Sequence, residues 1–510
     1  MYSRVFSSCL FGLDAQIIQV EADITNGLPV FQMVGFLSSQ VKEAKERVRV
    51  SIHNAGFHIP AQRITVNLFP ADIKKDGTGF DLPIALAILA ACGQVNVSKL
   101  KETVILGELN LNGAIQRIPG VLSMAIQAKK EGFSSLIIPK DNVKEAAMIP
   151  GIQVFGVENL QELINILNGK ISRTPVEYAK VHEQEHTVLE EIQGDFRDIL
   201  GQEAPKKALE IAVAGGHNVL MIGAPGTGKS MLAKRVPSIM PPLEYEEKLE
   251  LVRIYSAAGK FCNEDVNRIQ RPFRETHHTI TKSALVGGGI IPVPGEITLA
   301  HRGVLFLDEL PEFPGKILDL LRQPLEEGVV HISRLKKNFV FPADFMLIAA
   351  CNPCKCGFFP DVEKCRCSTY QVQQYLGKIS EPLLDRMDMC VETERPQHVF
   401  FHKDPGESSE MIRNRILLAR ERQKKRYGQE PFYLNDKLQG NQLKKYCPLG
   451  LKEQQALEDI KEHGNFSMRG ILRILRVART IGDLKGIQNI TEDELYEALV
   501  YKMVNQKFWN

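Results

Sequence analysis

A glycine-rich stretch in the middle of the chain has the residue types and spacing of a phosphate-binding loop. The segment "NVLMIGAPGTGKS" ends in the pattern G-x-x-x-x-G-K-S directly after an apolar run, and "MLAKRV" can continue it as a helix. In such a loop the glycines let backbone N–H groups wrap the phosphates, the lysine reaches the β and γ phosphates, and the hydroxyl ligates Mg²⁺. The predicted nucleotide-binding residues are Gly223, Gly226, Gly228, Lys229 and Ser230.

A second apolar run, "VLFLDE", ends in two carboxylates. Its apolar residues predict a buried strand, so Asp308 and Glu309 would lie at the carboxyl end, where ligands bind in open α/β sheets. Asp308 is predicted to hold Mg²⁺, directly or through water, and Glu309 to orient the water that attacks the γ-phosphate. The two motifs together predict a site for ATP and Mg²⁺.

A cysteine-rich stretch, "CNPCKCGFFPDVEKCRCS" at 351–368, holds five of the chain's ten cysteines. Two C-x-C pairs, Cys354 with Cys356 and Cys365 with Cys367, offer the four thiolates of a closed tetrahedral zinc site. Such a metal can supply folding energy to a loop too short to build its own core. Cys351 stays a substitute ligand for Cys354 or Cys356, and free thiols or a redox role are the alternatives.

The length and composition are those of a globular protein with several domains. At 510 residues the chain exceeds one hydrophobic core, and 44% hydrophobic with 24% charged residues is an ordinary composition. A net charge of +2 means that nucleic-acid binding must come from local basic clusters. We find no secretion signal at the N-terminus, and the apolar run at 82–93 is too short to cross a bilayer, so we expect a cytoplasmic protein without a membrane partner.

The chain divides into four segments of different pattern. Residues 1–167 alternate β-rich and helical runs, and 168–192 is a polar stretch without a sustained period, as expected of a linker. Residues 193–395 contain nearly continuous apolar strands typical of a parallel sheet covered on both faces. Helical patterns dominate 396–510. The predicted fold class is therefore α/β, with a mixed α/β domain first and a helical domain last.

Several motifs along the chain resemble those of the ComM/YifB family of magnesium-chelatase-like AAA+ ATPases. They are "DILGQEAPKKALEIAVAGGHN", "GAPGTGKS", "RPFRETHHTI", "LVGGG", "PGEITLAHRGVLFLDELPEF", "NPC", "EPLLDRMD" and "SMRGILRILRVARTI". The resemblance covers nearly the whole chain. It implies an AAA+ P-loop module with a parallel sheet and a helical lid.

The resemblance also implies roles for three further polar residues. Asn352 matches the sensor-1 residue that positions water beside the γ-phosphate, and Arg469 matches the sensor-2 arginine of the lid. Arg386 matches the arginine finger that stabilises transition-state charge on a neighbouring subunit's nucleotide. An arginine supplied in trans implies a ring of subunits, a hexamer by resemblance to the family.

The N-terminal segment resembles the proteolytic domain of Lon proteases in its order of motifs. Lon-type proteolysis needs a serine nucleophile activated by a lysine, but Gly79 and Leu122 occupy those two positions. We therefore predict no peptidase activity. Lys74, Lys75 and Arg63 could contact phosphate, although a solvated charged face is the favoured interpretation.

The segment "EEGVVHISRLKKNFVFPADF" reads as two strands joined by a short polar turn, with Arg334, Lys336 and Lys337 near its tip. In related AAA+ helicases such a hairpin points into the ring pore, and basic residues there could follow a phosphate backbone. The alternative is an exposed hairpin kept soluble by charge. A second basic stretch at 420–428 favours a solvated helix end.

Two adjacent histidines, His277 and His278, lie in "RETHHTI". Adjacent side chains are expected to project in different directions, and no acidic residue is spaced to complete a metal site with them. They are interpreted as part of an inserted loop that continues through "LVGGGIIPVPGEITLAHRG".

The resemblance implies a Mg²⁺-dependent ATPase ring that moves on single-stranded or branched double-stranded DNA, as in branch migration of recombination intermediates during natural transformation. The alternative is an ATPase that remodels a protein partner, as magnesium-chelatase motor subunits do, although the chain has no integrin-like metal-binding domain. A nucleotide-dependent scaffold is disfavoured because Glu309, Asn352 and Arg386 are all present.

Overall fold

The computed structural model describes three consecutive regions of regular structure. The described residues are 1–96, 100–176, 194–261, 269–289, 291–334, 337–361, 363–394, 406–428, 430, 432–464 and 466–509. Most of the predicted linker 168–192 and the first part of the predicted segment 396–510 lie outside these residues, so both boundaries stay predictions.

The N-terminal region is built on a mixed seven-stranded sheet. The strands of the region are Tyr2–Phe11 (β1), Asp14–Thr25 (β2), Val30–Val34 (β3), Arg63–Phe69 (β4), Thr103–Ile105 (β5), Glu108–Leu109 (β6), Ile115–Gln116 (β7), Ser135–Pro139 (β8) and Gln153–Val157 (β9). The sheet order is β3-β4-β2-β1-β5-β8-β9, while β6 and β7 form a separate pair. Strand β1 pairs antiparallel with β2 and parallel with β5, so the sheet changes direction at its centre.

Helices cover this sheet according to their apolar pattern. They are Ser39–Asn54 (α1), Asp81–Ala91 (α2), Val121–Lys130 (α3), Val143–Ala146 (α4) and Leu160–Leu167 (α5). Helix α2, "DLPIALAILAA", is apolar all round and nearly every residue of it is buried, as the sequence predicts. Helix α1 begins where the Ser38 hydroxyl accepts a hydrogen bond from the Val41 N–H.

The sequence analysis makes predictions for two sets of residues in this region. They are the basic residues Arg63, Lys74 and Lys75, and the two positions of the Lon dyad, Gly79 and Leu122. Lys75 was expected on a solvated or phosphate-binding face, and this is wrong, because Lys75 is fully buried and its ammonium donates to the Pro70 carbonyl oxygen. Burial lowers the pKa of Lys75. At the two positions of the Lon dyad, Leu122 is buried and a Cβ on Gly79 would lie 3.1 Å from Ile118 Cδ1. The lack of peptidase activity stays a prediction.

The central region contains a five-stranded sheet in which each neighbouring pair runs parallel, so the predicted parallel sheet is confirmed. The strands of the region are Val219–Gly223 (β10), Phe273–Thr276 (β11), Gly287–Gly288 (β12), Val293–Pro294 (β13), Val304–Leu307 (β14), Val329–Arg334 (β15), Lys337–Pro342 (β16), Met346–Cys351 (β17) and Met389–Thr393 (β18). The sheet order is β11-β14-β17-β10-β18. All residues of β14 and β17 are buried, so both faces of the sheet are covered.

Helices and two hairpins surround this sheet. The helices are Glu203–Gly215 (α6), Lys229–Ile239 (α7), Tyr245–Ala257 (α8), Lys282–Val286 (α9), Glu296–Leu299 (α10), Gly315–Leu318 (α11), Arg322–Glu327 (α12), Thr369–Leu376 (α13) and Glu381–Leu384 (α14). Strands β15 and β16 form the predicted hairpin, and β12 pairs with β13 inside the segment predicted as an inserted loop.

The C-terminal region is helical in its described part, as predicted. Its helices are Ser409–Tyr427 (α15), Gly440–Tyr446 (α16), Leu451–Gly464 (α17), Met468–Lys485 (α18) and Glu492–Trp509 (α19). Helices α18 and α19 pack against each other, and α18 also contacts α6 of the central region. No helix in the described part of the chain is long and apolar enough to cross a membrane.

A buried ionic cluster around Asp483 joins the helices of the C-terminal region. Asp483 and Arg479, both in α18, are fully buried, and the Arg479 Nη2 donates to Asp483 Oδ1 at 3.1 Å. The Asp483 Oδ2 accepts from Arg426 Nη1 of α15 at 3.0 Å and from Asn435 Nδ2 at 2.9 Å. One buried carboxylate therefore neutralises two guanidinium groups, of which that of Arg479 is fully buried and that of Arg426 is 20% exposed.

A neutral histidine extends this cluster to the central sheet. His217, directly before β10, lies with its Nε2 2.7 Å from the Thr480 hydroxyl of α18. Burial lowers the pKa of His217 to about 4, so the ring carries no charge near neutral pH. The helical region is thus fixed to the end of the sheet that lies opposite the glycine-rich loop.

The N-terminal region packs on helix α8 through the turn between β1 and β2. The Arg253 Nε donates to the Leu13 carbonyl oxygen at 3.0 Å, and its Nη2 donates to Asp14 at 2.6 Å. The N–H of Gly120, at the start of α3, donates to the Ser256 carbonyl oxygen at 3.1 Å. The two α/β regions therefore share a hydrogen-bonded interface.

We predict that Asp483→Asn lowers the free energy of unfolding by about 3 kcal/mol, because the fully buried Arg479 guanidinium would lose its countercharge and Arg426 its partner. Urea unfolding followed by the fluorescence of Trp509, the single tryptophan of the chain, measures this. Asp493→Asn, an exposed position on α19, is the matched control. Equal stability of the two variants would contradict the structural role of the cluster.

Candidate functional site

The predicted nucleotide-binding residues lie at the carboxyl edge of the central sheet. The loop between β10 and α7 turns at Gly226 and Gly228, whose φ angles of 76° and 91° favour glycine. A Cβ on Gly228 would meet no atom within 4 Å, so the loop surface is open there. This backbone directs N–H groups toward the start of α7, a position suited to phosphate.

Lys229 opens helix α7 and turns its side chain back into the loop. Its ammonium donates to the carbonyl oxygens of Gly223 at 2.7 Å and Ala224 at 2.9 Å, and to Asn352 Oδ1 at 3.2 Å. Burial lowers the pKa of Lys229, although the nearby Asp308 carboxylate opposes this effect. Phosphate oxygens could replace these neutral acceptors and give the buried ammonium a full countercharge.

Ser230 and Asp308 form an oxygen pair suited to Mg²⁺. The Ser230 hydroxyl donates to Asp308 Oδ2 at 2.6 Å, which joins the start of α7 to the carboxyl end of β14. Hydroxyl and carboxylate oxygens are ligands that Mg²⁺ accepts beside water and phosphate. The residues therefore fit the cation that the sequence predicts.

Glu309 follows Asp308 in a left-handed backbone conformation, with φ of 52°. Its N–H donates to Asp308 Oδ1 at 2.9 Å, and its side chain is 56% exposed. Non-glycine residues seldom adopt this conformation, and those that do cluster at functional sites. The Glu309 carboxylate is thus accessible at the carboxyl edge of the sheet.

The sequence gives no signal for two residues that support the loop from behind. The Thr227 hydroxyl lies 2.8 Å from the Thr393 hydroxyl, at the end of β18. The Gln202 Nε2 donates to the Thr227 carbonyl oxygen at 3.0 Å. Both contacts cross large separations along the chain, so only the fold reveals them.

Arg386 lies at the opposite edge of the same sheet. Its carbonyl oxygen accepts from Asn218 Nδ2 at 3.0 Å, directly before β10, whereas Thr393 pairs with Gly223 at the other end. The five residues of β10, about 16 Å of parallel strand, separate the start of the strand near Arg386 from its end at Gly223. Arg386 therefore cannot reach the glycine-rich loop of its own chain.

The Arg386 side chain is 10% exposed and is paired within its own chain. Its guanidinium contacts Glu326 of α12, and its Nε donates to the Arg322 carbonyl oxygen at 3.3 Å. Burial lowers the pKa of Arg386, and the positive charges of Arg473 and Arg469 lower it further. Arg469 is exposed at the start of α18, one turn before Arg473, whose Nη1 donates to Asp388 Oδ1 at 2.9 Å, so Arg469 lies on the same side of the molecule as Arg386.

The four predicted metal ligands come together. The Sγ atoms of Cys354, Cys356, Cys365 and Cys367 all lie within 4.8 Å of one another. Three of their separations are 3.3, 3.8 and 3.6 Å, and tetrahedral zinc with Zn–S of about 2.3 Å needs about 3.8 Å. The cluster therefore fits a closed structural zinc site.

The thiol chemistry of the insert separates Cys351 from this cluster. Cys351 ends β17 and is fully buried, and burial raises its pKa to about 12. Desolvation opposes ionisation at Cys356 too, but the N–H groups of Phe358 and Arg366 and the neighbouring thiols lower its pKa to about 6. The four-cysteine set does not include Cys351, so its suggested role as a substitute ligand is not supported.

The cysteine-rich insert rests directly on the glycine-rich loop, a contact that the sequence does not predict. A Cβ on Gly357, whose φ is +81°, would lie 2.2 Å from Pro225 Cδ. Phe359 of the insert contacts Phe508 of α19 at a ring-centroid distance of 6.2 Å. A cavity of about 220 Å³ opens at this junction. The insert thus connects the loop to the last helix.

The predicted basic hairpin forms, but one of its lysines is already engaged. Arg334 and Lys337 are the last pair of the β15–β16 ladder, and Lys336 lies outside the described residues. The Lys337 ammonium lies 4.6 Å from the centre of the ring of Phe11, the last residue of β1. Arg334 is exposed at the end of its strand. The N-terminal region therefore holds one side of the hairpin.

The expectation that the two histidine side chains project in different directions is wrong. His277 and His278 have ring centroids 4.0 Å apart and do not point away from each other. An acidic residue does approach them, because the His278 Nδ1 lies 3.8 Å from Glu309 Oε2. The partner is separated along the sequence by an inserted segment, and spacing alone could not identify it.

The amino-acid sequence was compared with family models and with known proteins. Family models of magnesium chelatase match three stretches: subunit ChlI at 195–399, subunit ChlI of Mg-chelatase at 20–142, and the subunit ChlI C-terminal model at 406–502. The protein YifB of Escherichia coli strain K12 is 42% identical over 99% of this chain and 97% of its own length. The competence protein ComM of Haemophilus influenzae is 42% identical over 98% and 97%.

A more distant relative covers part of the chain. The magnesium-chelatase 38 kDa subunit of Acidiphilium rubrum is 26% identical over 59% of this chain and 87% of its own length.

We predict that Gly357→Ala weakens nucleotide binding severalfold, because the added methyl would displace Pro225 and a left-handed alanine costs about 1–3 kcal/mol. Titration with a fluorescent ATP analogue measures this. Gly315→Ala is the matched control, since its Cβ would meet no atom within 4 Å and its φ is not left-handed. Parent-like affinity of Gly357→Ala would show that the insert does not support the loop.

Proposed function

The chain belongs to the ComM/YifB family of magnesium-chelatase-like AAA+ proteins, and from this premise we propose that it is a Mg²⁺-dependent ATP hydrolase that works as a ring-forming DNA motor. The observation that carries the ATPase proposal is the meeting of five side chains at one sheet edge. They are Lys229, Ser230, Asp308, Glu309 and Asn352.

In this proposal each residue performs one part of phosphoryl transfer. Lys229 exchanges its present acceptors for the β and γ phosphate oxygens, and Ser230 and Asp308 hold Mg²⁺, which would neutralise charge on the phosphates. Glu309 orients the attacking water from the open edge, and Asn352, within 3.2 Å of the Lys229 ammonium, holds that water beside the γ-phosphate. Gly223, Gly226 and Gly228 leave the backbone free to wrap the phosphates.

The position of Arg386 supports a multi-subunit ring. Because it lies at the sheet edge opposite its own loop, it can stabilise transition-state charge only on a neighbouring chain's nucleotide. Its present partner Glu326 would be released when that phosphate takes its place. Arg469 lies on the same side, so we propose that both arginines face the neighbour. A hexamer is the ring size implied by the family.

DNA is the proposed substrate because of the ComM relative and the basic hairpin. Arg334, Lys336 and Lys337 would follow the phosphate backbone, with Lys337 exchanging its contact with Phe11 for phosphate. Such a motor would drive branch migration of recombination intermediates during natural transformation, and it would act in the cytoplasm. The proposed substrate is single-stranded or branched double-stranded DNA.

One observation favours a second candidate, a protein-remodelling ATPase. Val340 of β16 is 51% exposed on the hairpin, and pores that pull protein usually present apolar residues. The magnesium-chelatase relative also works as a subunit of a larger enzyme. In this case ATP hydrolysis would respond to a protein partner and not to DNA.

We also propose that the cluster of Cys354, Cys356, Cys365 and Cys367 holds one structural Zn²⁺. The metal would fix an insert that has few apolar residues of its own, and it would hold Gly357 against the loop.

The expected result for the motor is ATP-dependent migration of a labelled three-stranded DNA junction by the parent protein. Lys229→Ala should lose nucleotide binding, and Glu309→Gln should bind ATP but hydrolyse it about a hundredfold more slowly, so neither should migrate the junction. Gel electrophoresis of the released strand measures this.

A second pair of variants tests the hairpin through the affinity of the protein for the same DNA junction, measured at several salt concentrations. Arg334→Gln should weaken DNA binding about threefold or more and reduce its salt dependence, whereas Arg49→Gln, on an exposed position of α1, should not. ATP hydrolysis that is indifferent to DNA, together with no migration, would overturn the DNA proposal in favour of protein remodelling.

We predict that replacing Cys365 and Cys367 together by serine abolishes zinc binding and lowers the melting temperature, because two of four ligands are lost. Elemental analysis should find about one zinc per parent chain and none in the variant. Cys92→Ser, outside the cluster, is the control and should keep the metal. Unchanged metal content and thermal stability in the double variant would rule out the zinc proposal.

A further inference from the structure

The paired histidines lie at the same sheet edge as the catalytic carboxylate. Strand β11 pairs with β14 in a register that sets Thr276 beside Leu307. The two residues that follow each strand therefore lie next to each other. They are His277 and His278 after β11, and Asp308 and Glu309 after β14. The parallel pairing thus places an imidazole close to Glu309.

The His278 ring is held on two sides. The His277 ring lies 4.0 Å away on one side, and the Phe313 ring meets it edge-on at 6.4 Å on the other. His277 is itself fixed, since its Nδ1 lies 2.9 Å from the Thr279 hydroxyl. A ring packed in this way keeps its orientation without large loss of rotamer entropy when a partner binds.

One nitrogen of the His278 ring faces the Glu309 carboxylate. The His278 Nδ1 lies 3.8 Å from Glu309 Oε2, longer than a hydrogen bond but within ion-pair distance. The His278 side chain is 33% exposed and the Glu309 side chain 56%, so the pair lies at the rim of the site and not in the core. Contacts of this kind are often long before substrate binds and shorten in the reacting complex.

The surroundings of Glu309 make such a partner useful. Asp308 is its neighbour in the chain, and Glu312 lies one turn further on. Burial raises the pKa of Tyr375, and the Glu312 and Glu309 carboxylates raise it further, so negative charge is concentrated here. An imidazole facing Glu309 gives this carboxylate a preferred direction among its acidic neighbours.

We propose that His278 is a positioning residue for Glu309, holding its carboxylate in the orientation from which it directs the attacking water. The inference rests on the proposed ATPase function and deepens it by assigning a residue that acts through the base and not on the nucleotide. His277 and Phe313 serve to keep the imidazole in place.

The test measures kcat and KM for ATP in the full-length chain. His278→Ala should lower kcat on the order of tenfold and leave KM unchanged, because nucleotide binding depends on the loop and Lys229. His278→Asn should recover part of the loss, since its side-chain amide can donate from nearly the position of Nδ1. His53→Ala, an exposed histidine of α1, should behave as the parent.

A double substitution separates positioning from a structural effect. In the Glu309→Gln background the further change His278→Ala should cost no more, because its effect passes through the carboxylate. Equal kcat for parent and His278→Ala, a change confined to KM, or multiplicative losses in the double variant would overturn the inference while the ATPase proposal stands. A parent protein without any ATP hydrolysis would instead overturn the proposed function, and the inference with it.

Discussion

In a parallel sheet every strand delivers its carboxyl end to the same edge, and in this molecule β11, β14, β17 and β10 do so as neighbours. The residues that follow them are the histidine pair, the two carboxylates, Asn352 and the glycine-rich loop. The hydrogen-bonded register of the sheet brings them within a few ångströms, and the buried apolar strands fix that register.

The same constraint places the remaining charged groups elsewhere. The amino ends of the strands meet at the opposite edge, where Arg386 and His217 lie, and where α18 is fixed through Thr480. A site at one edge and an arginine at the other cannot be joined within one chain. The proposed role of Arg386 therefore requires a second copy of the chain that presents its opposite sheet edge to this site.

The cysteine insert and the N-terminal region both contact elements near the carboxyl edge of the sheet. The cysteine insert, which begins where β17 ends, rests on Pro225 and reaches the last helix through Phe359. The N-terminal region contacts the hairpin with Phe11 and helix α8 with Leu13. The insert would be fixed by the proposed metal, whereas the N-terminal region is built on its own sheet. Both therefore contact elements that the proposed motor uses, the nucleotide loop in one case and the hairpin in the other.

Features whose signals are local could be predicted from the amino-acid pattern alone. They are the glycine-rich loop, the strand ending in Asp308 and Glu309, the four cysteines, the fully apolar helix α2 and the hairpin, each specified within some twenty neighbouring residues. Which of these features touch became known from the folded molecule. The contacts of His278 with Glu309, Gly357 with Pro225, and Lys337 with Phe11, and the burial of Lys75, depend on the packing of elements that a sequence pattern does not pair. A local pattern records which face of an element is apolar, whereas the register and packing of distant elements decide which polar groups lie within reach of one another.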